Sequence, residues 1–223
     1  MMTSPDLSYE KRLWRKGYKF VVGIDEVGRG AWAGPIVVSA VVFPSAVTKQ
    51  FSNLAIEQLG INDSKLLKPR LREQLAKEIK KRALAWDVSE IGVGVINKIG
   101  IGKATEKAMR KTISDLAKKG KNPDFVLVDF YSIPYLRGLG RKNQLGIKHG
   151  DQKSISIAAA SILAKVHRDG LMRSLSRKYP QYDWGRNKGY GTRLQQKAIL
   201  RYGLTRYHRK EFVKSWKEKK NRV

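Results

Sequence analysis

Across 223 residues, 46 Lys and Arg face 19 Asp and Glu. The formal charge of +27 points to a polyanionic partner, with nucleic acid ahead of a membrane surface because the basic residues are scattered. Cysteine is absent, which excludes disulfides, thiolate nucleophiles and cysteine-bound zinc or iron–sulfur clusters, while 41% hydrophobic residues suffice for one main domain with a smaller helical extension. No run nears the roughly 20 apolar residues that span a bilayer, and residues 1–12 lack the apolar stretch of a signal peptide, so the expectation is a cytoplasmic protein, monomeric by default.

Residues 20–24 and 34–43 are apolar, β-branched runs on either side of a glycine-rich bend and read as neighbouring antiparallel strands, both buried. Leu67, Leu71, Leu75 and Ile79 recur at helical spacing and predict a helix over 65–84, with Pro69 compatible only near its start. Residues 86–95 alternate as a strand, 104–116 form a helix closed by Lys118-Lys119-Gly120, and 125–128 form a short apolar strand. After a loop rich in Gly, Pro and Arg comes another short strand over 144–149. A long helix follows over 154–179, whose patch Ala158-Ala159-Ala160-Ser161 lets it sit close on a sheet. Past Pro180 the chain turns aromatic and basic, with a helix over 192–202 and a Lys-rich tail from Lys210. The order of elements predicts an α/β layer fold: a main domain over 1–180, and over 181–223 a helical extension that packs on it and contributes to substrate binding.

In so basic a chain, an acid at the end of an apolar strand is informative, because a carboxylate there loses hydration unless a cation offsets the loss. Asp25 and Glu26 follow Phe-Val-Val-Gly-Ile, Asp129 follows Phe-Val-Leu-Val, and Asp151 follows Gly-Ile-Lys-His-Gly ahead of a helix. Taken singly, Asp25 and Asp151 read as caps and Asp129 as the start of a loop, and spacing alone favours that. Taken as a set on neighbouring strands, they make ligands for two hard divalent cations, and in a polyanion-binding chain this reading has equal weight. Two such ions carry phosphodiester cleavage without a side-chain nucleophile. That suits a chain with no cysteine, no Gly-x-Ser-x-Gly elbow, and three histidines (His149, His167 and His208) that form no close metal-binding pair.

Two glycine motifs carry no nucleotide cofactor. Residues 28–33 fit the dinucleotide pattern, yet Gly34-Pro35 and a β-branched run follow where a helix N-terminus is needed. Residues 100–103 suggest a phosphate loop, but Ala104 stands at the Ser/Thr position and the glycine spacing is wrong.

The blocks Gly23-Ile24-Asp25-Glu26-Val27-Gly28-Arg29-Gly30 with Ala33-Gly34-Pro35, Asn62-Asp63-Ser64-Lys65, Leu127-Val128-Asp129, Gly150-Asp151 with the run from Ser156 to Val166, and Asn187-Lys188-Gly189-Tyr190-Gly191-Thr192 closely resemble, in this order, the ribonuclease HII family. The resemblance covers residues 18–212. It implies a ribonuclease H-like fold, a mixed central β-sheet flanked by helices with a helical C-terminal region. It implies that Asp25, Glu26, Asp129 and Asp151 are the catalytic acids and metal ligands, with magnesium or manganese as cofactor. It also implies hydrolysis of the RNA strand of RNA–DNA hybrids, and nicking 5′ of single ribonucleotides in duplex DNA during ribonucleotide excision repair, leaving a 5′-phosphate and a 3′-hydroxyl. Gly28, Arg29 and Gly30 would offer backbone groups to the ribose 2′-hydroxyl, with glycine permitting the close approach. Tyr190 would stack on the following sugar, its alternative being a core aromatic beside Trp184. Lys65 would contact a phosphate, against a plain solvated lysine, and Lys165 could support a carboxylate or a phosphate. Two positions depart from the family pattern: Phe130 replaces a usual glycine and Gln195 a common histidine, which bears on loop shape and affinity. The related ribonuclease HIII carries an extra N-terminal domain, and the few residues ahead of the first strand favour HII. The rival reading is a non-catalytic nucleic-acid binder on the same fold, which has no use for four acids facing phosphate.

Overall fold

β-branched residues at both pleat faces put the second strand in the middle of the structure: all seven residues of β2 (Ile36–Val42) are buried, with no polar alternation. The computed structural model describes residues 4–45, 53–65 and 67–220. β2 lies between β1 (Val21–Val27) and β3 (Ala85–Ile91), antiparallel to both, while β4 (Phe125–Asp129) and β5 (Gln144–Ile147) extend the sheet in parallel from β1, giving the order β3-β2-β1-β4-β5. The register places Asp25 opposite Ser39, and Ile24 beside Val128.

Helices cover both faces. On one, Val22, Ile24, Val38 and Ala40 pack against Ala104, Ala108 and Met109 of α5 (Ile101–Lys118). On the other, Val41 and Phe43 meet α3 (Pro69–Arg82) and the small-residue patch of α6 (Ile155–Lys178). α6 runs so close to β1 that a Cβ on Gly23 would lie 2.2 Å from the Ser156 carbonyl carbon, so only glycine fits there. Each isoleucine or leucine buried in these layers contributes about 1.5–3 kcal/mol.

Several boundaries differ from the sequence reading, each for a local reason. α3 starts at Pro69, not residue 65, because proline at the first helical position forces the preceding Lys68 into extended backbone (φ −64°, ψ 146°). The expected strand over 86–95 stops at Ile91, where Gly92 caps a helix, α4 (Val93–Ile99), that alternation had concealed. Gly100 at φ 79° then separates α4 from α5, which therefore starts at Ile101. Ahead of β1, α1 (Ser8–Arg15) has no side-chain cap; tertiary contacts hold it, with Glu10 fully buried and accepting hydrogen bonds from Ser154 Oγ (2.6 Å) and the Ser156 N–H (2.9 Å). A short α2 (Asn53–Glu57) precedes α3.

Beyond α6, α7 (Trp184–Asn187), α8 (Arg193–Tyr202) and α9 (Lys210–Lys220) build a third apolar cluster around Tyr182, Trp184, Ile199 and Val213, joined by Ala33 and Met172. The Lys-rich segment expected as a tail is the helix α9, held by Trp216 against Trp32 with ring centroids 5.1 Å apart. No helix of the described residues is long and apolar enough to cross a membrane.

Candidate active site

Consecutive residues of a strand point to opposite faces, so Asp25 turns toward α6 and Glu26 away from it. Parallel pairing of β1 with β4 brings Asp129, the last residue of β4, to the level of Asp25. The turn after β5 completes the set: the Gly150 N–H donates to Asp129 Oδ1 (2.7 Å), and Asp151 beside it lies in a single 3-10 turn, Gly150–Gln152, at the entry to α6. Lys65 Nζ lies 3.3 Å from Asp151 Oδ2 and 3.9 Å from Asp63 Oδ1.

A cavity of about 420 Å³ opens over this corner, lined by Asp25, Glu26, Asp129, residues 27–30, Ser64, Lys65, Ser161, Lys165 and Tyr190. Other clefts are as large, such as one of about 490 Å³ against Arg110 and Tyr135, but what singles this one out is three acids at strand ends. Lys165 is held by Asp169 (2.8 Å). Arg29 turns its side chain onto Tyr131 Oη (2.8 Å) and lies 3.6 Å from Glu26. Tyr190 is 38% exposed at the cavity edge beneath the Arg168 guanidinium, 5.7 Å from the ring centroid; Trp184 is the aromatic that is buried, stacked on Tyr182.

The carboxylates are costly where they stand. Burial, then the charges of Glu26 and Asp129, push Asp25 well above the usual carboxylate range, against a hydrogen bond from Ser161. Burial raises Glu26 to about 7 although Arg29 opposes it, and burial also raises Asp129 despite the Gly150 N–H. Burial pulls the Lys65 ammonium down, but Asp151, Asp63 and Asp25 outweigh it and hold it above its usual value. Glu26 Oε2 is buried without a hydrogen-bond partner. Among the described residues no three acids are already drawn around one point. The donor set is nonetheless all oxygen, short of positive charge and with an orphaned carboxylate oxygen, which fits hard divalent cations.

Sequence reasoning passed over Ser64 and Ser161, whose hydroxyls meet at 3.0 Å beside Asp25, and Tyr131, which steers Arg29. Ser64 and Ser161 both lay inside quoted motifs; Tyr131 carried no signal of its own. Both departures from the family pattern have a physical reading. Phe130 sits at φ 75°, a conformation natural to glycine. Gln195 is fully buried, accepts from Trp184 Nε1 (2.6 Å) and donates to the Gly189 carbonyl (2.8 Å), a relay that a histidine's two ring nitrogens could also make.

A mixed five-stranded sheet between helices, with acids gathered at the ends of adjacent parallel strands, defines a protein of the ribonuclease H-like class. The family profile "Ribonuclease HII" matches residues 22–219. A ribonuclease HII of Acholeplasma laidlawii is 44% identical over 95% of this chain and 96% of its own. Among solved structures, the ribonuclease HII in the PCNA complex from Archaeoglobus fulgidus is 25% identical with a TM-score of 0.66, covering 85% of this chain and 93% of that one. Bst ribonuclease HIII in complex with Mn2+ is 20% identical with a TM-score of 0.59, covering 83% and 63%. The chain belongs to the ribonuclease HII family. It is thus an endonuclease hydrolase with ribonuclease H activity on RNA–DNA hybrids, of a family that depends on divalent metal.

Proposed function

We propose that this ribonuclease also nicks duplex DNA on the 5′ side of single embedded ribonucleotides, as a step in ribonucleotide excision repair, leaving a 5′-phosphate and a 3′-hydroxyl. The observation that carries the reading is the convergence of buried, undercompensated acids beside a glycine-lined cavity. Asp25, Glu26, Asp129 and Asp151 would hold two magnesium or manganese ions; when bound, these supply water activation and neutralise charge on the phosphate. Asp25 feels the charges of both Glu26 and Asp129.

The remaining residues choose and hold the substrate. The backbone at Gly28, Arg29 and Gly30 faces the ribose, where the 2′-hydroxyl alone separates RNA from DNA. Arg29 is kept out of the way by Tyr131 and Glu26. Lys65, with 75% of its side chain exposed, is free to leave Asp151 for a backbone phosphate, since so exposed an ion pair binds weakly. Tyr190 stacks on the sugar after the ribonucleotide, and residues 181–223 form an extension that presents it and adds positive charge along the duplex. A non-catalytic binder on this fold is disfavoured because buried acids facing phosphate only weaken binding.

The test is a duplex bearing one ribonucleotide, incubated with magnesium or manganese. A nick 5′ of the ribonucleotide, with a 5′-phosphate on the downstream product, is expected; no nick with either ion overturns the reading.

A further inference from the structure

Arg168 and Arg209 are fully buried, and among the described residues neither makes an ion pair. Burying a guanidinium without a carboxylate is expensive, and burial lowers both, Arg209 to about 9. What compensates is backbone. Arg209 donates to the Gly34 and Arg29 carbonyls (2.9–3.1 Å), tying the first cavity loop, residues 28–35, to the C-terminal region. Arg168 donates to Pro35 O (3.0 Å) and Ala33 O (3.0 Å) of that loop and to Lys188 O (2.9 Å) of the second cavity loop, residues 188–191.

Arg168 thus spans both loops. Its guanidinium passes directly under Gly28, where a Cβ would meet Nε at 2.1 Å, so glycine at 28 is demanded from inside the protein as well as by any ligand. The same guanidinium lies over the Tyr190 ring, 5.7 Å from its centroid. Around it the loops interlock without slack: Gly189 O accepts from the N–H groups of Trp32 (2.7 Å) and Ala33 (3.1 Å), and a Cβ on Gly191 would strike the Trp32 ring at 2.3 Å.

We infer that Arg168 is a positioning residue that locks the ribose-facing loop to the Tyr190 loop, so that a ribonucleotide and the sugar after it are recognised as one rigid unit. The inference rests on the proposed nicking at single ribonucleotides. Lysine at 168 keeps the charge, but its one nitrogen cannot reach three carbonyls that the guanidinium meets with three separate nitrogens.

In Arg168→Lys, kcat/KM for a duplex with one ribonucleotide should fall about ten-fold relative to kcat/KM for a continuous RNA–DNA hybrid, where every neighbouring sugar offers a 2′-hydroxyl. The drop should be absent when Arg168→Lys is added to Tyr190→Ala, because the two act through one element. A residue that merely stabilised the fold would lower both substrates alike, with rates read well below each variant's thermal midpoint. A folded Arg168→Lys with an unchanged substrate ratio overturns the inference. Should that variant not fold, Gly189→Ala parts the same loops through the Ala33 carbonyl (2.4 Å from the new Cβ) and must show the same selective drop; an unchanged ratio there overturns it too. If the unmodified chain fails to nick the single-ribonucleotide duplex, the underlying reading fails instead, so the two failures are distinct.

Discussion

The two sides of the cavity bury opposite charges, and neither neutralises the other. On one side Asp25, Glu26 and Asp129 crowd at strand ends with raised proton affinities. On the other, Arg168 and Arg209 sit fully buried on backbone carbonyls. Had a guanidinium paired with Asp25, burial would have been far cheaper for both, and the acid would have been closed to a metal ion. Keeping the charges apart leaves the acids free for the cations of the proposed mechanism and the arginines free to shape loops. On that reading one side serves chemistry and the other geometry.

The sharpest way to break that comparison is to neutralise one acid. Asp25→Asn or Asp129→Asn should lower turnover by at least about 10³-fold while duplex binding stays nearly intact. Metal-free Asp25→Asn should also be more stable than the parent, because it removes a buried charge that its neighbours repel. Turnover that persists, or an asparagine variant that melts earlier without metal, would count against the acids as the costly, metal-seeking side.

Next in size is the response to pH, which should have opposite sign on the two sides. The Glu26 carboxyl is raised from 4.5 to about 7 on folding, so the folded state favours its protonated form. Its stabilisation is complete below pH 4.5 and disappears as pH rises through 7, a loss of roughly 3 kcal/mol without metal. His208, in the C-terminal cluster, behaves the other way. Burial lowers it from 6.5 to about 4; its Nδ1 accepts from the Thr205 N–H (2.9 Å), and it stacks edge-on against Tyr182. Stability held above pH 6.5 is therefore lost as pH falls through 4, by a comparable amount. Thermal melts of metal-free protein across pH 4–8 should show a shallower high-pH decline in Glu26→Gln, the remainder coming from Asp25 and Asp129, and an unchanged acid-side one. Addition of magnesium or manganese should stabilise most at the high-pH end, where the acids are ionised.

Tyr190→Ala tests the geometric side. Loss of a stacking platform at the cavity edge should cost about ten-fold in preference for a single-ribonucleotide duplex over a continuous hybrid, with a smaller fall in overall affinity. Competition cleavage of the two substrates measures it, and equal losses on both would detach Tyr190 from junction reading.

The two sides were also unequally legible in the sequence. The acids were legible as a set: each alone reads as a cap or a loop start, but several carboxylates closing apolar strands in a chain of +27 give a metal-ligand reading equal weight, and parallel pairing of β1 with β4 brings two of those strand ends together. The sheet and the long helix α6 were legible for the same reason: apolar runs and a small-residue patch are local signals. The arginine side was not. Arg168 and Arg209 look like two more of 46 basic residues, and only the return of the C-terminal region over residues 29–35 makes them a clamp. α1 and α4 were missed on similar grounds, one held by the burial of Glu10, the other hidden in an alternating pattern that Gly92 interrupts.

Phe130 gives the smallest test and the most local one, since it stands beside Asp129 on the acid side yet is exposed and belongs neither to the acid set nor to the arginine clamp. At φ 75° a side chain costs roughly 1–2 kcal/mol relative to glycine, and Phe130 is 66% exposed, so it recovers little by packing. Glycine would relieve that strain but loosen the unfolded chain, which takes back part of the gain. Phe130→Gly should therefore raise stability by less than about 1 kcal/mol and leave turnover within about two-fold. A larger fall in turnover would mean that Phe130 contacts the substrate. In that case the departure from the family's usual glycine would be a functional adaptation of the acid side instead of tolerated strain.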